Sequence, residues 1–116
     1  MDKILIIKIS SLGDVLHAFP AVSLLASHFP NASIDWLVHP SFAQILGYNS
    51  HVRKIIPFPR KDLASPFRFP GAFKRLVGEM RSEKYDMVID MQGLFRSAFF
   101  AKFARADVVA GFASIS

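Results

Sequence analysis

The run KILIIKISSLGDVLHAFPAV, residues 3–22, constrains the fold more than any other part of the chain. A stretch of apolar residues broken by a single lysine leads into a turn of small residues with one carboxylate, then into an amphipathic segment. A strand that is apolar throughout has no wet face, so it must be covered on both sides, as in a parallel sheet between helices. In open sheets of that kind the ligand crevice forms at the carboxyl ends of the strands. Asp14 sits in the turn at that end, and is the first residue a functional reading has to explain.

The pattern repeats along the chain. Residues 4–9 read as the first strand, and a helix is expected from Gly13 or Asp14 to His28, with Val15, Ala18, Phe19, Val22, Leu25 and Ala26 at helical spacing. Phe29-Pro30-Asn31 stops it. Residues 34–38 form a second strand, 40–46 a short helix opened by proline, and 52–56 a third strand. Residues 57–70, rich in proline and basic side chains, read as a mobile loop, followed by a helix over 72–82. A fourth strand over 87–90, a helix over 94–103 and a short fifth strand over 108–110 complete the order. Repeated strand-then-helix units imply right-handed crossovers, hence an α/β fold with a Rossmann-like parallel sheet flanked by helices. Strand order 3-2-1-4-5 would bring the Asp14 turn beside the turn Asp90-Met91-Gln92-Gly93.

Length and composition bound the function. The 116 residues suit one domain, and 52% hydrophobic with 20% charged residues excludes disorder. Without cysteine there is no disulfide scaffold and no thiolate metal site. The opening MDKILIIKIS lacks the basic start of a secretory signal, and charge interrupts every apolar run before the ~20 residues a membrane span requires. A cytoplasmic location follows as the simplest reading. The net charge of +5 favours an anionic partner: a phosphate-bearing ligand, an anionic membrane surface or nucleic acid. Nucleic acid is the weakest of these, since no RRM, KH or zinc-finger signature accompanies the charge.

Ser10, Ser11, Gly13 and Asp14 form the first candidate site. Serine hydroxyls can serve an anion or sugar, and Gly13 tolerates backbone angles closed to other residues. The run is neither GxGxxG nor a Walker loop. Asp14 reads either as a helix N-cap or as a general base, and His17, three residues on, either as a packed histidine or as a ligand contact. Arg53, Lys54, Arg60, Lys61 and Arg68 form a basic stretch fit for phosphate or carboxylate, or a solvated face. Phe58, Phe67, Phe69 and Phe73 interleave with it, suited to nucleobases, an amphiphile or a partner domain. Gln92, Gly93 and Arg96 follow the fourth strand, where Arg96 opposes the usual charge preference at a helix start and would be explained by an anionic ligand. No HExxH or paired-carboxylate helix marks a metal site.

Taken together, KILIIKISSLGDVLHAFPAV, IDWLVHPSF, VRKIIPFPRK and YDMVIDMQGLFRSAFFAKFARA resemble, in order and spacing, the amino-terminal part of the lipopolysaccharide heptosyltransferases of glycosyltransferase family nine. The resemblance implies an inverting GT-B enzyme of two Rossmann-like domains. The amino-terminal one binds the acceptor, Kdo-bearing lipid A or its heptosylated core, and the carboxyl-terminal one binds the donor ADP-heptose. It implies Asp14 as general base, with Ser11 and Gly13 on its supporting turn; Ser10 and His17, read from the sequence alone, join the acceptor-binding candidates. It further implies Arg60 and Lys61 on a basic loop meeting acceptor phosphate or carboxylate, and Gln92 with Arg96 on a second acceptor-side loop, where Gly93 is a further acceptor-binding candidate. No catalytic metal or cofactor is expected, nor a nucleic-acid partner. The expected location is cytoplasmic, peripheral on the inner membrane. At about a third of the family's length, residues 1–116 would be a partial acceptor domain without its donor domain, and transfer is not expected from it alone. A nonenzymatic anion- or glycolipid-binding module is the alternative.

Overall fold

The computed structural model describes residues 2–91 and the backbone of the strand at 106–111. Its elements in chain order are β1 (Lys3–Ile7), α1 (Leu12–His17), α2 (Phe19–His28), β2 (Ser33–Val38), a 3-10 turn (Pro40–Phe42), α3 (Ala43–Leu46), β3 (Val52–Pro57), α4 (Arg60–Ala64), α5 (Phe69–Arg81), β4 (Tyr85–Asp90) and β5 (Ala106–Gly111). The strands form one parallel sheet in the order β3-β2-β1-β4-β5, the order expected for a Rossmann-like topology.

The apolar run of β1 is buried on both faces. Ile4 and Ile6 join Val15 of α1, Val22 of α2 and Ala18 between them, while Leu5 and Ile7 join Leu76 and Met80 of α5. Complete burial of each of these β1 side chains is worth about 1.5–3 kcal/mol, which is why so short a strand anchors the sheet. Trp36, in the middle of β2, is fully buried against the edge of Phe19 at 5.9 Å, and its Nε1 donates to the Lys8 carbonyl at 3.0 Å. Its role is packing, with the indole N–H satisfied by the end of the neighbouring strand.

Two expectations are corrected. The helix over 13–28 is broken at Ala18: α1 ends at His17, and Pro20, in the first turn of α2, has no N–H to continue the ladder. Residues 57–70 hold two helical segments where a loop was expected. The five-residue α4 has no periodicity long enough to read, and is held by Leu63 packing on the α5 core and by Leu63 N–H donating to the Pro59 carbonyl at 2.9 Å. The helix expected over 94–103 lies outside the described residues.

Candidate functional site

The chain continues past each regular strand in a way that gathers four turns at one edge. Lys8 N–H donates to the Leu37 carbonyl at 3.3 Å, His39 N–H to Ile9 at 2.9 Å, Phe58 N–H to Val38 at 2.7 Å and Met91 N–H to Ile7 at 2.9 Å. The exits of β1, β2, β3 and β4 are thereby tied together at the carboxyl edge. From β1 the chain goes on to β2 on one side of the sheet and from β4 to β5 on the other, which makes the β1–β4 junction its topological switch point.

At the β1 exit, Ser11 is the N-cap of α1 and Asp14 occupies the third helical position. The Asp14 carboxylate reaches back, its Oδ2 accepting from the Ser11 hydroxyl at 3.2 Å and, at 3.5 Å, from the Ser11 N–H. The carboxylate is exposed, and both bonds fall on one oxygen, so the second is not spent on them. Capping and chemistry therefore meet in one residue: the helix start orients a carboxylate that remains open to solvent. The N-cap itself is Ser11, which corrects the reading of Asp14 as the cap. Gly13 is corrected too. It lies within α1, outside the left-handed region, and an added Cβ would meet nothing within 4 Å. Its effect is to leave the first turn of the helix uncovered. His17 ends the same short helix, exposed.

Two buried charges beside this turn were not singled out from the sequence. Lys8, 6% exposed, donates from Nζ to the Met91 carbonyl at 3.2 Å and so clamps the β1 exit to the β4 exit. Asp90, the last residue of β4, is equally buried. A lysine inside an otherwise apolar strand was the available signal, because burying an ammonium costs several kcal/mol unless it has a purpose and a partner.

The β2 and β3 exits frame a groove of about 360 Å³ that includes His39, Ser41, Arg60 and Lys61. Among the described residues no group of three His, Asp or Glu is placed to hold a metal ion, and no helix is long and apolar enough to cross a membrane.

Comparison with known proteins decides the family. The model of glycosyltransferase family 9 (heptosyltransferase) matches residues 73–116. The chain is 36% identical over 113 residues to lipopolysaccharide heptosyltransferase 1 of Pseudomonas aeruginosa, covering 94% of this chain and 32% of that protein. It is 40% identical over 102 residues to the protein of the same name from Salmonella typhimurium, covering 83% of this chain and 31% of the relative. Its fold matches E. coli heptosyltransferase WaaC, solved with ADP-2-deoxy-2-fluoro heptose, with a TM-score of 0.86 and 33% identity over 94% of this chain and 36% of that one. The chain belongs to glycosyltransferase family 9. It spans about a third of the length of these family 9 relatives.

Within this family 9 fold the basic stretch divides. Arg60 and Lys61 lie at the carboxyl edge, exposed. Arg53 and Lys54 are at the opposite end of β3, which corrects their inclusion in one anion-binding cluster. The cause is tertiary: Arg53 grips Asp35 with Nε at 3.0 Å and Nη2 at 2.7 Å and also bonds Glu83, while Lys54 Nζ lies 3.5 Å from Ser82 Oγ. Arg68 pairs with Asp62. The aromatic residues divide as well. Phe58 is buried and Phe73 packs on the core, whereas Phe67 and Phe69 are exposed. Gln92, Gly93 and Arg96 lie outside the described residues.

The Arg53 network perturbs its acids. Hydrogen bonds from Arg53 and Lys3 hold the Glu83 carboxyl down to about 2 from 4.5, and backbone N–H groups of Asp2 and Lys3 lower Asp86. Both folded-state values lie below the unfolded ones, so their stabilisation is present above the ordinary carboxylate range and is lost as pH falls through the folded values. The urea midpoint is therefore expected to fall between pH 4.5 and about 2, and Glu83→Gln to flatten that fall. A midpoint unchanged by Glu83→Gln across that window would show that Glu83 carries none of the acid sensitivity.

Proposed function

We propose that this chain is the acceptor-binding half of an inverting heptosyltransferase that moves heptose from ADP-heptose to a Kdo or heptose hydroxyl of the lipopolysaccharide inner core, with a donor-binding domain outside these residues. The observation that carries the reading is the exposed Asp14 carboxylate, oriented by Ser11 at the sheet's switch point, in a chain 36% and 40% identical to proteins named lipopolysaccharide heptosyltransferase 1.

In the proposed step the acceptor oxygen attacks the anomeric carbon of ADP-heptose from the face opposite the nucleotide. A new carbon–oxygen bond forms as the bond to ADP breaks, the hydroxyl proton passes to Asp14, and ADP leaves with the electron pair. Charge on the departing diphosphate is stabilised by donors of the nucleotide-binding domain, and no metal ion or cofactor is part of the step. Ser10, Ser11 and His17 flank the base. Arg60 and Lys61 neutralise acidic groups of the acceptor, while Gln92, Gly93 and Arg96 contact it from the β4 side. Work on a lipid-borne acceptor places the enzyme at the cytoplasmic face of the inner membrane, bound peripherally.

A second reading, a nonenzymatic glycolipid-binding module, is favoured by the exposed pair Arg60 and Lys61 bordering an open groove. Calorimetric titration of the chain with Kdo-bearing lipid A tests what the two readings share. Saturable binding is expected, weakened about tenfold or more by Arg60→Ala/Lys61→Ala as two charge-assisted contacts are lost. No binding by the folded chain would remove the acceptor role from it. Transfer by a two-domain protein carrying this segment separates enzyme from module.

A further inference from the structure

We propose that the groove between the β2 and β3 exits is a phosphate-monoester subsite in which His39 and Ser41 are neutral donors opposite the cations Arg60 and Lys61. The inference deepens the acceptor reading and rests on it, the ligand being a phosphate group of the acidic glycolipid.

Both walls of the groove are fixed. His39 N–H bonds the Ile9 carbonyl and Phe58 N–H the Val38 carbonyl, so each wall starts from a hydrogen bond at the sheet edge. Pro40 in one wall and Pro59 in the other restrict φ immediately after those anchors. The His39 ring is held as well: its Nδ1 lies 3.1 Å from Ser41 N, and the ring packs on Phe42 with centroids 5.6 Å apart. The backbone N–H donates, so Nδ1 accepts and carries no proton, and the proton of the neutral ring is on Nε2. The remaining polar atom of the ring is a donor. Ser41 lines the same groove, and its hydroxyl adds a second neutral donor to that wall.

The charge balance favours an anion. Asp62 is the carboxylate of the groove wall, and its ion pairs among the described residues are with Arg68 at 3.5 Å through Oδ1 and Arg75 at 3.5 Å through Oδ2. Four cations thus surround one acid, whose two oxygens are shared with arginines other than Arg60. A planar carboxylate is served by one bidentate guanidinium, whereas a phosphate presents oxygens in three directions. Donors from two rigid walls, two charged and two neutral, fit the tetrahedral ion.

The test is calorimetric titration of the chain with three probes: Kdo-bearing lipid A, the same glycolipid after enzymatic removal of its phosphate monoesters, and inorganic phosphate. His39→Phe keeps a ring against Phe42 but removes both nitrogens. His39→Asn restores an acceptor for Ser41 N–H and an outward N–H donor. For the phosphorylated glycolipid, His39→Phe is expected to weaken binding about tenfold at an unchanged salt dependence, because the lost donor is neutral. His39→Asn is expected to recover most of that affinity, and Arg60→Gln/Lys61→Gln to lower both affinity and salt dependence. The dephosphorylated glycolipid is expected to be indifferent to His39→Phe. Parental affinity in a folded His39→Phe chain overturns the subsite, as does an equal loss with the dephosphorylated glycolipid. If neither glycolipid binds, the acceptor reading fails. The subsite then stands only if inorganic phosphate binds with the same dependence on His39, and is overturned if it does not.

Discussion

Asp14→Asn is expected to lower the turnover of heptosyl transfer by roughly 10²–10⁴-fold, the usual contribution of a positioned general base. The assay is ADP release by a two-domain enzyme carrying this segment as its acceptor half. The substitution is nearly isosteric, and an asparagine oxygen can still accept from Ser11, so the start of α1 is preserved. Stability should therefore change by less than about 1 kcal/mol, as is usual for an exposed site. If, as proposed, Asp14 takes the proton only as the transition state forms, kcat and kcat/KM should fall together, with little change in acceptor KM. Ser11→Ala is expected to have the smaller effect, since it removes a side-chain donor that orients the carboxylate and leaves the carboxylate itself. Turnover within about threefold of the parent in a folded Asp14→Asn enzyme would reduce Asp14 to a helix-start residue.

Arg53→Met is expected to destabilise the fold by about 3 kcal/mol, the low end of the usual cost of stranding one member of a buried ion pair, because Asp35 is fully buried while the Arg53 side chain is 43% exposed. Against a total of about 5–15 kcal/mol this is a large fraction. The physical reason is Asp35, a carboxylate 0% exposed in the middle of β2. Two of its partners are the Arg53 fork and the Tyr85 hydroxyl, which donates at 2.6 Å. Burial and this bond to Asp35 together push the Tyr85 phenol well above its ordinary range, so it remains a donor. Without the guanidinium, the hydroxyl would be the stronger of what remains to hold a charge in an apolar layer. Arg53 can reach Asp35 because the β2–β3 register shifts between Ile34 and Asp35: Ile34 faces Val52 while Asp35 faces Lys54, leaving Arg53 as the extra residue of a bulge. Replacing the whole network, Asp35→Leu/Arg53→Met/Tyr85→Phe, should restore much of the loss, since apolar residues of similar volume often match a buried pair. Urea denaturation measures both variants. A loss below about 1 kcal/mol in Arg53→Met would mean that Asp35 finds another partner or a proton at little cost. Glycolipid binding should be spared wherever the variant remains folded, because this network sits toward the amino-terminal end of the strands, away from their exits.

What the residues state locally proved readable. Ile4–Ile7 demanded cover on two faces, and the alternation of strands with helices demanded parallel crossovers; from these the layered sheet and its carboxyl edge followed, while the order 3-2-1-4-5 was a Rossmann-like expectation that the structure bears out. Asp14, Ser11, Arg60 and Lys61 were found at that edge because turns after parallel strands have nowhere else to go. The details that depended on contacts distant in sequence were not readable. Helix α4 is too short to be stable alone and exists through Leu63 against the core. Arg53 looked like one more cation of a basic stretch until the bulge turned it toward a carboxylate 18 residues away. His39 falls between the expected strand over 34–38 and the short helix over 40–46 and carried no assignment, and its place opposite Arg60 and Lys61 emerged only when two strand exits were brought side by side.

The division follows from the range of the forces. Apolar periodicity, helix starts and crossover handedness act over a few residues or follow from chirality, so this sequence by itself determined the layered parallel sheet and the turn that carries Asp14. Which charges are spent inside the fold and which remain for a ligand is settled by burial and pairing across the sheet. Only the tertiary structure could commit Arg53 to Asp35, clamp Lys8 onto Met91, and leave Arg60 and Lys61 facing a groove with His39.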